Sequence, residues 1–260
     1  MPSEIYPLSL PPLSTDPAHA RRPAMDSGSL VQQAMQAVND HIRSHAMRVG
    51  DSLPGEAWFA AALGVSRPVM REAFGALAAL RLIDVGNGRK PRVSAIDGSV
   101  IASSLEHAVS TAQITVAEVW DVRRTIEVRT AALAASSRTD MEAAEIVALA
   151  DAMAANLDHQ EDMARHDIAF HLAIARASHN ALFVQIVSSF GPLMEVAVPT
   201  AWLTRTTEAE RQTIITRHRA VADAILRGDS AAAEAAMDDH FDASVGVLLE
   251  GMESRGQGGH

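Results

Sequence analysis

The chain has no cysteine, which excludes disulfides and any thiolate metal site and accords with a reducing cytoplasm. Lys90 is its only lysine in 260 residues. No apolar run approaches the length needed to span a bilayer, and the N-terminus lacks the basic start and apolar core of a secretion signal. A cytoplasmic protein with no membrane partner is the expectation. The sequence also lacks a His-Glu-x-x-His pair, a glycine-rich phosphate loop and a Gly-x-Ser-x-Gly elbow, so it reads as a non-enzyme.

The net charge of −10 excludes a chain coated in nucleic acid, but the charge is unevenly spread. Residues 28–98 hold eight Arg and Lys against six Asp and Glu; residues 99–250 hold eleven against twenty-two. Only the first segment is suited to approach phosphates. Four parts follow: a disordered arm over 1–27, which carries six of the eleven prolines; a DNA-binding module over 28–98; an acidic helical domain over 99–250; and a disordered tail over 251–260.

Within the first module, an apolar stripe of Val31, Ala34, Met35, Val38 and Ile42 predicts a helix from Ser29 to about Ala46. A short helix follows around Glu56–Leu63. Gly64 then supplies a tight turn, Ser66 caps the next helix, and Met70, Phe74 and Leu77 recur at inward-facing spacing. Arg67 and Arg71 project together from the leading end of that helix, where guanidinium groups suit guanine edges and phosphates in a major groove. Just beyond, two short apolar runs flank Asn87-Gly88, a strong hairpin signal, and Pro91 demotes the second strand to an edge. Arg89, Lys90 and Arg92 make that hairpin basic. The whole is a winged helix-turn-helix. Arg67 and Arg71 are expected to reach base edges, with Ser66, Arg89 and Lys90 on phosphate or the minor groove.

After Gly98 the chain is alanine-rich and helical in period, with no sustained heptad and no fixed repeat. Helices are predicted at 99–111, 115–136, 139–157, 160–177, 180–197, 207–227 and 230–249, with a break over Pro199–Thr206. The fold class is therefore mainly α: a winged helix-turn-helix with a small β-hairpin wing, then an all-α bundle. In that bundle Asp167 and His171 lie four apart on one helix and share a face. His218 and His240 sit on two later helices, and antiparallel packing of those helices would bring their rings to the same depth; by spacing alone, histidines on the helix surface or at helix ends remain the other reading. Together they offer one oxygen and three nitrogens to a divalent ion such as zinc, nickel, manganese or iron. Arg123, four before Glu127, reads by spacing alone as a surface ion pair. Trp202 reads equally as a cavity wall or a loop anchor.

The order of these segments resembles the GntR family of bacterial transcription regulators, in its FadR subfamily, which joins a winged helix to a helical ligand-binding domain called FCD. The residues that carry the resemblance are Leu53-Pro54-Gly55-Glu56, the run Leu63–Phe74, Val122–Glu127, Asp167–His171 with Ala177–Asn180, His218–Ile225 with Gly228-Asp229, and His240. The resemblance spans about residues 29–249. It implies that Asp167, His171, His218 and His240 hold one divalent metal, and that Arg123 lies at the mouth of the bundle cavity, gripping an effector carboxylate. Two positions depart from the family pattern. Ala57 stands where an arginine is usual, and the wing has fewer glycines. The combined expectation is a homodimer paired through its helical domains, which binds operator DNA and, as a repressor, releases it when a small hydroxy or sugar acid binds near the metal. The alternatives are a regulator that answers to the metal ion itself and, more remotely, a metal-dependent enzyme.

Overall fold

The computed structural model describes residues 29–86, 88–155 and 160–242; the expected arm over 1–27, the expected tail over 251–260, the end of the helix expected over 230–249 and Asn87 of the expected hairpin lie outside the described residues. The described residues form two compact units. One runs to Ala78 and takes in Ile83–Val93; the other comprises Ala79–Leu82 and the chain from Ser94.

In the first unit, α1 (Leu30–Ser44) starts on a reciprocal cap: Ser29 Oγ accepts from the Gln32 amide, and Gln32 Oε1 accepts from the Ser29 amide. Its stripe buries Ala34 and Val38 against α2 (Glu56–Leu63) and α3 (Arg67–Ala79). Gly64 closes α2 at φ +66°, a left-handed conformation that a Cβ would strain. Two residues on, Ser66 Oγ accepts from the Val69 amide at 3.4 Å and opens α3. Met70, Phe74 and Leu77 then fall into one core with Leu53, Phe59 and Ile83. The spacing read from sequence is the spacing found.

The wing differs in one respect. Strands β1 (Ile83–Asp84) and β2 (Arg92–Val93) pair antiparallel, Ile83 opposite Val93, but β2 is not an edge. Its other side bonds to the segment after α1: Val93 N–H donates to Asp51, Gly50 N–H to Val93, and Leu53 N–H to Pro91. Pro91 contributes only its carbonyl there, so its missing N–H costs the ladder nothing.

The second unit is all helical: α4 (Ser99–Ser110), α5 (Val116–Ser137), α6 (Asp140–Ala155), α7 (Gln160–Ala177), α8 (Ala181–Ser189), α9 (Gly191–Leu203) and α10 (Glu208–Leu226), then α11 over 230–242. Thr115 with Glu118 and Thr207 with Glu210 cap α5 and α10 reciprocally. Helix α7 is central, packing on α5, α6, α8 and α9 and burying Phe170, Ala173 and Ile174. At the entry to α4, a Cβ on Gly98 would meet Ser188 and the Gln185 carbonyl, so glycine permits the close approach of α4 to α8.

Two helix boundaries depart from the periodic reading. The single helix expected over 180–197 is two, α8 and α9, bent by 53°. Pro192 has no N–H to offer the carbonyl four residues back, and Phe190 closes α8 by donating to Val187. Conversely, the break expected at Pro199–Thr206 begins later, because α9 continues through Pro199 to Leu203. Ala201 and Trp202, just past the proline, are buried in the core, and that packing outweighs the lost backbone hydrogen bond. Among the described residues no single helix is long and apolar enough to cross a membrane.

Candidate functional site

Three helices deliver the imidazoles to one place. His171 from α7, His218 from α10 and His240 from α11 are all buried, and one nitrogen from each lies within 4.8 Å of the others. The ring centroids of His218 and His240 are 4.4 Å apart, those of His171 and His240 5.2 Å. Asp167, one turn before His171, stands outside that triangle of nitrogens. Its Oδ1 lies 3.0 Å from His218 Nε2 instead, and both it and the three rings line one cavity.

The proton count at His218 bears on what fits here. Its Nδ1 faces the Ile214 carbonyl at 2.9 Å while its Nε2 faces the Asp167 carboxylate, so both nitrogens face acceptors. A neutral imidazole carries one N–H. If Nδ1 donates to Ile214, the Nε2 lone pair confronts a carboxylate oxygen, and a cation between them relieves the conflict. The donor set therefore fits a divalent ion. Burial alone would raise the Asp167 carboxyl, but its hydrogen bond with His218 and the neighbouring imidazoles hold it well below the usual range. His240 is pushed well below its ordinary value of 6.5, first by burial and then by the other two rings, which keeps it neutral.

Arg123 and Glu127 are not a surface pair. They are 3% and 1% exposed, with Arg123 Nε donating to Glu127 Oε1 at 2.7 Å. The guanidinium lies 4.7 Å from the Trp120 ring centroid and 5.5 Å from that of Phe241, with Nη1 against the Met194 thioether. The second oxygen of Glu127 meets His171 Nδ1. Burial would raise the Glu127 carboxyl, but Arg123 and His171 outweigh it and bring it down to about 2.

Trp202 belongs to α9, is buried and lines the cavity with Arg123 and the histidines. Arg205 went unnoticed in the sequence. It is 8% exposed, lines the same cavity, donates from Nη1 to the Ala201 carbonyl at 2.9 Å and lies 5.9 Å from the Trp202 ring. Burial lowers its pKa, with Asp167 the largest opposing influence. Only its place just past the end of α9, invisible while that stretch reads as a break, could have marked it. The cavity volume is about 30 Å³, room for an ion or a water.

On the other unit, Ser66, Arg67 and Arg71 are exposed at the start of α3, as are Arg89 and Lys90 on the wing. Arg67 has no ion pair among the described residues, and Arg71 Nε is 3.7 Å from Glu56. Arg89 is tied to Asp84 at 2.8 Å, and Arg92 turns back to the Gly50 carbonyl at 3.4 Å. Among the described residues Lys90 is thus the wing cation least engaged within the protein.

A winged helix-turn-helix with exposed arginines, joined to a helical domain around a buried histidine cluster, defines a DNA-binding transcription regulator. Two domain models match: "Bacterial regulatory proteins, gntR family" over residues 30–93 and "FCD domain" over 118–243. The chain is 30% identical to the HTH-type transcriptional regulator LutR of Bacillus subtilis, over 80% of this chain and 95% of that protein. It is 29% identical to the galactonate operon transcriptional repressor of Escherichia coli, over 72% and 82%. It is also 33% identical to the Glc operon transcriptional activator of the same species, over 57% and 60%. The solved GntR of Streptococcus agalactiae shares the fold with a TM-score of 0.59 at 21% identity, over 83% of this chain and 98% of that one. The chain belongs to the GntR family of bacterial regulators, in the branch that carries an FCD domain. It is a ligand-responsive regulator of transcription and not an enzyme.

Proposed function

We propose that the protein is a homodimeric repressor that leaves its operator when a small carboxylate metabolite, a hydroxy or sugar acid, binds beside a divalent metal in the FCD domain. The observation that carries this reading is the convergence of three buried imidazoles, Asp167 and the buried Arg123 on one cavity. Asp167, His171, His218 and His240 hold the ion, zinc first on a nitrogen-rich donor set, with nickel, manganese and iron as the other candidates. Arg123 grips the carboxylate, and Trp202 walls the seat. The galactonate repressor among the relatives supports a sugar acid as the ligand class. Ser66, Arg67, Arg71, Arg89 and Lys90 contact operator DNA. Pairing through the helical domains finds support in exposed Val122 on α5 and Val196 and Leu203 on α9. The effector shifts DNA affinity only by its differential affinity for the free and DNA-competent states.

Calorimetric titration of zinc-loaded protein with a panel of hydroxy and sugar acids tests the reading, alongside gel shifts with and without the acid. One acid is expected to bind, to lose its signal in Arg123→Ala and to release DNA. No binding from any acid, or binding unchanged in Arg123→Ala, refutes it. A second reading, the metal ion as the signal, is favoured by the small cavity, which has room for an ion but not for an organic acid without movement of its walls. DNA affinity that follows zinc alone would select it.

A further inference from the structure

Glu127 stands between the two halves of the site. One oxygen accepts from Arg123 Nε at 2.7 Å; the other lies against His171 Nδ1 in an ion-pair contact, and neither of those last two atoms has an aligned hydrogen bond to any group among the described residues. All three side chains are buried, so protein groups and not bulk water answer the carboxylate. The contact with His171 draws that ring's proton to Nδ1 and turns Nε2 toward the other imidazoles, as outer carboxylates do for metal-binding histidines. The contact with Arg123 ties down Nε and leaves Nη1 against a thioether, a weak acceptor that an anion readily replaces.

We propose that Glu127 is a positioning residue that couples the anion seat at Arg123 to the cation seat at His171 by sharing one negative charge between them. The inference rests on the reading above, that His171 holds the ion and Arg123 the carboxylate. An ion on His171 Nε2 makes the Nδ1 proton more acidic and strengthens its bond to Glu127. The carboxylate then holds Arg123 less firmly, and the guanidinium meets an incoming anion with more of its own charge. The converse follows by linkage: an anion that draws Arg123 away leaves Glu127 to serve His171, and ion affinity rises. Arg123 thereby acts on the ion without touching it.

Zinc alone is a sufficient probe, titrated into the full chain against a chromophoric chelator. Glu127→Gln, Arg123→Met and the double variant complete a cycle. Glu127→Gln is expected to weaken zinc by about 10–100-fold. Arg123→Met is expected to strengthen it several-fold in the wild-type background and to change it by less than about twofold beside Glu127→Gln. Zinc affinity unchanged in Glu127→Gln overturns the proposal, as does an Arg123→Met effect of equal size in both backgrounds, which a simple nearby charge would give. Circular dichroism checks folding. If Glu127→Gln does not fold, nitrogen-15 spectra of the metal-free wild type decide: His171 protonated at Nδ1 supports the coupling and protonation at Nε2 overturns it. A wild type that takes up no zinc sinks this proposal and the metal reading together, whereas zinc held equally by wild type and Glu127→Gln sinks this one alone.

Discussion

Arg71, near the start of α3, has its Nε 3.7 Å from the carboxylate of Glu56 at the start of α2, with the arginine side chain 78% exposed. So exposed a pair contributes little to stability, and the guanidinium is available to a base edge. Arg71→Ala should cut the preference for a selected operator over random DNA by about tenfold or more, as expected for loss of one bidentate base contact. Binding measured on both DNAs checks this; an equal fall on both would assign Arg71 to phosphate instead.

Lys90, on the wing, should behave differently. Its replacement by alanine is expected to weaken binding to all sequences alike and to reduce the salt slope by about 0.9, the loss of one phosphate contact. Affinities from 50 to 200 mM salt provide the slope. A change confined to the operator would contradict the assignment.

Phe74 is 1% exposed at the centre of the winged-helix core. Phe74→Ala should destabilise that unit by about 3–5 kcal/mol. Because the two units have separate cores, amide exchange should quicken in the first unit while Phe170 and its neighbours in the second stay protected. Uniform loss of protection would argue for a single cooperative unit.

Metal content gives a further test. After mild zinc loading and a chelator wash, elemental analysis should find about one ion per chain in the wild type and markedly less in His218→Ala, which loses one of the four donors and the imidazole that meets Asp167. The variant should remain helical. Zinc retained by His218→Ala would move the ion elsewhere.

Stability should fall steadily on acidification in metal-free protein. His240 is held well below its ordinary 6.5 in the fold, so below about pH 6.5 the unfolded chain takes up a proton that the folded one refuses. Glu127 is brought down to about 2 from 4.5, so its contribution is present above pH 4.5 and is lost as pH falls toward 2. Both have the same sign. Thermal melts in chelator from pH 7.5 to 4 check it, and a Tm that stays flat or rises between pH 7 and 5 would refute it.

The first unit was almost wholly legible in the sequence, because each of its elements carries a local signal. Gly64 and Ser66 punctuate the turn, and Met70, Phe74 and Leu77 keep the helical period. Only the neighbour of β2 was missed, since pairing with residues 50–53 is a long-range choice that Pro91 disguises. In the second unit the intrinsic cost of proline was overlooked at Pro192, where it ends a helix, and applied at Pro199, where the buried Ala201 and Trp202 prevail over it.

By itself the sequence determined the two-part architecture, the arginines of α3 and the helices that carry His171, His218 and His240, because turn chemistry and periodicity act over a few residues. Only the tertiary structure decided that Arg123 and Glu127 are buried, that Arg205 joins them and that Asp167 turns to His218. Burial and partnership depend on which helix faces cross, and the identical spacing of four residues serves equally for a solvated pair and for a charge held at the centre of a bundle.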